Sequence, residues 1–156
     1  MLAINIPGAQ PLRLAHLILD FNGTIACDGA IFQGVPERLE ILAKDLKIHI
    51  LTADTFGSVK TQIDGLPVQL AVIPPDDQAQ IKADYLDHLG PANSVAIGNG
   101  RNDALMLKQA ALGIAVMQTE GMAREALLAA DVVTPGIFEA LDLLLFPDRL
   151  KATLRL

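Results

Sequence analysis

The chain has 156 residues, the size of one domain, expected to span 1–156. Hydrophobic residues make up 51% and charged residues only 19%, which excludes a disordered, self-repelling polyelectrolyte. Eighteen acidic against 12 basic side chains (net −6), 4% aromatics and no Trp leave neither the basic footprint nor the stacking platforms of a nucleic-acid binder, and no attraction to an anionic membrane.

In chain order, Leu2–Ile6 reads as an antiparallel edge strand returning through the Pro7-Gly8 turn. Leu14–Phe21 is nearly all apolar, as a strand covered on both faces should be. Residues 25–34 read as a small hairpin turning at Asp28-Gly29. Pro36 opens a helix whose apolar stripe is Leu39, Leu42 and Leu46. Lys47–Thr52 is the second main strand, followed by a short helix over 55–64 that stops near Gly65. Val68–Ile73 is the third strand. A helix then starts at Pro74-Pro75-Asp76-Asp77 and runs to about Leu89. Ser94–Gly98 is a fourth strand, Asn102–Ala111 a helix, Leu112–Val116 a strand and 121–130 a helix. Asp131–Thr134 is a last strand, and a helix runs from Gly136 to Leu145. Strands alternating with helices in this way predict right-handed βαβ units: a Rossmann-like three-layer α/β/α sandwich with a mostly parallel sheet.

The lone Cys27 permits no internal disulfide and fits a reducing compartment. The chain has no spanning apolar run and no signal-peptide pattern, so the expectation is a cytoplasmic protein with no membrane partner.

In parallel sheets chemistry sits at the carboxyl ends of the strands. Here those ends carry Asp20, Thr52 and the loop Gly98-Asn99-Gly100-Arg101-Asn102-Asp103. Lys82 lies four residues before Leu86 and seven before Leu89, so it shares the apolar face of its helix and points toward the sheet. A lysine on that face either snorkels to water or neutralises a buried anion. Asp20 is either a turn cap or a carboxylate able to attack phosphorus. The Asn/Asp loop offers hard oxygen ligands of the kind magnesium takes, or simply an N-capped turn. One carboxylate, one hydroxyl, one ammonium and an oxygen-rich loop, in chain order at the ends of consecutive core elements, together suit a phosphate dianion and a divalent cation.

On these residues the chain resembles the haloacid dehalogenase superfamily of phosphotransferases. Asp20-Phe21-Asn22-Gly23-Thr24 is similar to its DxDGT motif, Thr52 and Lys82 to its second and third motifs, and Gly98–Asp103 to GDGxND. The match is closest to small soluble proteins like the phosphorylation domain of P-type ATPases. The resemblance implies Mg2+-dependent phosphoryl transfer through an aspartyl phosphate on Asp20. The metal would be held by Asp20, the Asn22 carbonyl, Asn99 and Asp103. Thr52 and Lys82 would hold the phosphoryl oxygens, and Asn102 would orient the loop. The partner would be a phosphorylated small molecule or phosphoryl donor.

Two departures from the pattern carry consequences. Asn22 stands where the family has the acid/base Asp, and an amide cannot shuttle protons at neutral pH. Asn99 replaces a carboxylate, which lowers the expected metal affinity. Slow hydrolysis of alkyl phosphates follows, with acyl and aryl phosphates suffering less. The alternative is a non-catalytic phosphate- or metal-binding module. The 31 residues between Asp20 and Thr52, and the 29 between Thr52 and Lys82, leave no room for a cap domain, so hairpin 25–34 is the expected flap. The Leu-rich stretch LDLLLFPDRL is a candidate for packing either between subunits of a homo-oligomer or within the domain.

Overall fold

The computed structural model describes residues 1–53 and 58–156. Six parallel strands form the central sheet: β3 (His16–Asp20), β6 (Lys47–Thr52), β7 (Val68–Val72), β8 (Ser94–Gly98), β9 (Leu112–Val116) and β10 (Val132–Thr134). Their order is β10-β9-β8-β3-β6-β7, so the chain winds outward from β3 in both directions. This is the expected Rossmann-like sandwich. The crevice at the carboxyl ends of β3 and β8 lies where the winding reverses.

Alternation along each strand divides the sheet's side chains between two layers. Leu17, Leu19, Ile48, Ile50, Val95 and Ile97 pack with α1 (Val35–Leu42), α2 (Ser58–Gln62) and α6 (Ile137–Leu145). Ile18, Leu51, Ala96 and Ala115 pack on the other face with α3 (Gln78–Leu89), α4 (Ala104–Gln109) and α5 (Arg124–Ala129). The second face is built from small residues because its helices come very close. A Cβ on Gly113 would stand 2.2 Å from the Leu107 carbonyl oxygen. Asp20 shares the parity of Ile18, so it faces α3, the helix that carries Lys82.

Several boundaries differ from expectation. The strand expected over Leu14–Phe21 breaks at Ala15. Its first part, β2 (Leu12–Leu14), pairs antiparallel with β1 (Leu2–Ile4) in a separate ribbon, so the N-terminal strand does not join the edge of the main sheet. At Ala15 the backbone bonds pass to Asn93 and Lys47, and β3 begins. The hairpin is present as β4 (Ala26–Cys27) and β5 (Ala30–Ile31), with Asp28 at φ 50° and Gly29 at φ 76°. Two positive φ values identify the primed turn that matches strand twist. The helix expected over 55–64 is described only as α2, its earlier residues 55–57 lying outside the described ones. The helix expected over 121–130 is only α5, because Gly121 sits at φ 78° and the Ala123 amide donates to Asn99 O instead.

A helix with no sequence expectation, α7 (Pro147–Leu154), follows α6 after Phe146, with Pro147 in its first turn. Leu141, Leu144 and Leu150 are buried in the chain's own core, which decides how most of the Leu-rich stretch packs. No described helix is long and apolar enough to cross a membrane.

Candidate phosphoryl-transfer site

Lys82 is the keystone of the crevice. It lies one turn into α3 with its side chain 1% exposed, and its Nζ donates to Asp20 Oδ1 (2.5 Å) and Asp103 Oδ1 (2.6 Å). Burial pulls the ammonium down, but the two carboxylates outweigh it and hold it above its usual value. Burial pushes Asp20 upward, the Asp103 charge adds to this, and Lys82 opposes both; the result is about 7. A carboxyl so placed is a poorly solvated base held against a cation, the electrostatic setting in which functional carboxylates are found.

Asp103 is wholly buried, and its second oxygen accepts from the backbone amides of Asn99 (3.0 Å) and Gly100 (2.8 Å). Its carboxylate therefore closes the Gly98–Asp103 loop and holds Lys82 from behind. Gly98 is required for this: a Cβ there would stand 2.5 Å from Asp103 Cγ. Asn102 ties the loop to the start of α3 by donating to Gln78 Oε1 (2.7 Å). The helix bearing Lys82 and the loop bearing Asp103 are thereby fastened together.

On the other side of Asp20, Thr24 Oγ1 lies 3.3 Å from both Asp20 Oδ2 and Asn99 Oδ1. A hydroxyl has one proton, so it satisfies one of these acceptors at a time. Asp20 and Asn99 thus flank the Thr24 hydroxyl and line one cavity, and their side-chain oxygens are of the hard kind that a magnesium-like cation takes. Gly23, at φ 79°, allows this approach, since a Cβ there would stand 2.4 Å from the Asn99 side chain. The other end of Asn99 is committed, Nδ2 donating to Gly121 O (3.0 Å). Thr52 is buried at the end of β6 and lines the same cavity, of about 600 Å³, as Asp20, Asn22, Asn99 and Asn102.

Asn22 is exposed, and its side chain is occupied by the flap: Oδ1 accepts from the Gly29 amide at 3.0 Å. Two further residues, without sequence expectation, hold the flap and the loop beneath it. Gln62 of α2 donates to Gly29 O and accepts from the Ile31 amide (2.7 Å). Gln118, after β9, donates to the carbonyls of Gly23 and Thr24 and accepts from the Ile137 amide (3.1 Å). Neither lies in a motif. The available signals were their positions: Gln118 two residues past a strand end, and Gln62 on the helix that follows Thr52.

The chain matches no protein-family model. It is 54% identical over 61 residues to an uncharacterized protein of Methanocaldococcus jannaschii, covering 39% of this chain and 66% of that one, just under two thirds of its length. A second uncharacterized protein of that organism is 59% identical over 39 residues, covering 25% of this chain and 89% of the relative. Among solved structures, the 3-deoxy-D-manno-octulosonate 8-phosphate phosphatase of Moraxella catarrhalis, with magnesium, phosphate and the sugar acid bound, superposes with a TM-score of 0.66 at 18% identity. That match covers 91% of this chain and 94% of the other. The cobalt-bound phosphatase of the same kind from Haemophilus influenzae gives 0.71 at 13%, covering 91% and 93%. A zinc-transporting P-type ATPase gives 0.58 at 24%, with 80% of this chain matching 20% of the pump.

Proposed function

We propose, for a chain that has the haloacid dehalogenase fold without a cap domain and belongs to one family with the second archaeal relative, that it transfers phosphoryl groups through Asp20. The observation that carries this reading is Lys82, buried and bonded to Asp20 and Asp103 at once.

Asp20 attacks phosphorus. The P–O bond to the leaving group breaks, and an acyl phosphate forms on the carboxylate. Water then attacks that phosphorus, inorganic phosphate leaves and Asp20 is regenerated. Lys82 stands beside the attacking carboxylate and offsets charge gathering on the phosphoryl oxygens, while the Thr52 hydroxyl donates to one of them. Asp20, the Asn22 carbonyl and Asn99 would hold a divalent cation, taken as Mg2+, which when bound draws negative charge from the phosphoryl group. Asp103, the fourth expected metal ligand, is wholly buried and gives its oxygens to Lys82 and two backbone amides, so in this reading it positions Lys82 and the loop in place of holding the cation. Asn22 supplies no proton to the leaving group, so good leaving groups are favoured. General acid–base help is worth roughly 10²–10⁴-fold, and that factor is forgone here.

The test is p-nitrophenyl phosphate and acetyl phosphate hydrolysis with Mg2+. Release of phosphate by the native protein and its loss in Asp20→Asn are expected. Undiminished activity in that variant would remove Asp20 as the nucleophile. Folded native protein that binds Mg2+ and phosphate without turnover would instead establish the non-catalytic reading, which the amides of Asn22 and Asn99 favour.

A further inference from the structure

We infer that Glu120, on the loop after β9, makes the site selective by charge: phosphomonoesters whose leaving group carries an ammonium are preferred, and those carrying a carboxylate are rejected. This rests on the phosphoryl-transfer reading and names its substrate class.

The charges around the cavity are one-sided. Among its described lining residues the only ionisable side chains are Asp20 and Glu120; the others are amides, hydroxyls and small residues such as Gln78, Ser58 and Gly100. Lys82 lies behind the floor, already shared by two carboxylates. Residues 54–57, Asp-Thr-Phe-Gly, contain no basic residue. Arg101 lies beyond the Gln78–Asn102 bridge, in an adjoining depression, and is paired with Glu125 at 2.9 Å. Glu120 does not stand alone at the mouth. Its carboxylate lies within 4.8 Å of ligand atoms of Asp28 and Cys27 on the flap, so a second carboxylate stands beside it.

With a phosphoryl group at Asp20, the remainder of the ester extends through the space that Glu120 lines. An anion there meets like charge with no basic side chain among the described lining residues to answer it, whereas an ammonium meets a carboxylate. Rejection by an unanswered charge is as effective a source of specificity as attraction. The octulosonate 8-phosphate for which the Moraxella phosphatase is named, the ester of a sugar acid, is the charge type this opening disfavours.

The experiment uses three aryl phosphates of similar shape and leaving group: 4-(aminomethyl)phenyl, 4-(hydroxymethyl)phenyl and 4-(carboxymethyl)phenyl phosphate, each with Mg2+. The expected order of kcat/KM is cation, neutral, anion, with about a tenfold ratio between the extremes, a size typical of one partly solvated charge pair. Glu120→Gln should collapse that ratio, and Glu120→Lys should invert it. Asp28→Asn, which tolerates the positive φ, should reduce it by a smaller factor. Raising salt from 0.05 to 0.5 M, which shortens the screening length roughly threefold, should shrink it in the native protein. Equal kcat/KM across the series, or a preference untouched by Glu120→Gln, overturns this inference and leaves phosphoryl transfer standing. No phosphate release from any of the three overturns the underlying reading and this one with it.

Discussion

Two asparagines set the chemistry at the residue scale, and they differ in what holds them. Asn22 uses only its oxygen, accepting from the Gly29 amide. An aspartate accepts equally well there, so Asn22→Asp should keep the flap turn and add the missing proton carrier. Alkyl phosphate hydrolysis should rise by about 10²-fold, the low end of general acid–base catalysis. No gain in a folded, metal-binding variant would refute the account of the missing acid. Asn99 uses both ends, with Oδ1 near Thr24 and Nδ2 donating to Gly121 O. An aspartate cannot donate, so its second oxygen would face that carbonyl. Asn99→Asp is therefore expected to bind Mg2+ more tightly by calorimetry, yet to lose about 1–3 kcal/mol of metal-free stability in urea. Both results from one variant are needed; tighter binding without destabilisation would mean the Gly121 bond contributes nothing.

At the scale of elements, the site is a set of fastenings between loops that are distant in the chain. Gln62 grips both sides of the flap turn, at Gly29 O and the Ile31 amide. Gln62→Ala should free β4–β5, costing about 1–2 kcal/mol for two partly exposed bonds. Hydrogen exchange at the Ile31 amide should accelerate well beyond that of β3; unchanged protection would show that the flap holds itself. The fastenings also explain what could be read in advance. Lys82 was legible because Leu86 and Leu89 give its helix face. Asp20 and Asp103 were legible because strand ends of a parallel sheet converge. The grip of Gln62 and Gln118 was not, since an amide bonding backbone leaves no periodicity or charge pattern. Helix α7 left little signal for a related reason: its inward anchors are only the buried Leu150 and the partly buried Leu154, too few for a stripe.

At the scale of the molecule, the sheet face that carries Asp20 also holds a chain of polar groups farther from the site, with the buried His49 at its centre. His16 Nδ1 lies 3.0 Å from His49 Nε2, and His49 Nδ1 lies 3.0 Å from the Tyr85 hydroxyl. Burial, then His16 and Lys47, push His49 down from 6.5 to about 4. The unfolded chain therefore binds more protons between these values, and the contribution of His49 to stability, full above about 6.5, is lost as pH falls toward 4. Asp20 acts with the opposite sign. Raised from 3.8 to about 7, its contribution in metal-free protein is full below 3.8 and is lost as pH rises through 7. Native protein should thus show a flattened stability profile across this range. His49→Gln should unmask a steady decline with rising pH in denaturant titrations. A stability difference between the two proteins that does not change with pH would contradict the neutral, buried imidazole.

Sequence by itself determined the alternation of strands and helices, the parallel sheet and the strand ends at which polar residues gather. These follow from apolar period and turn chemistry, which are local and written in neighbouring residues. Tertiary structure alone decided that Asp103 gives an oxygen to Lys82, that Asn99 needs its amide nitrogen, and that Glu120 reaches the cavity opening. Those facts depend on which atoms meet across 20 to 80 positions of chain, and only packing of the two helical layers onto the sheet brings such atoms within bonding distance.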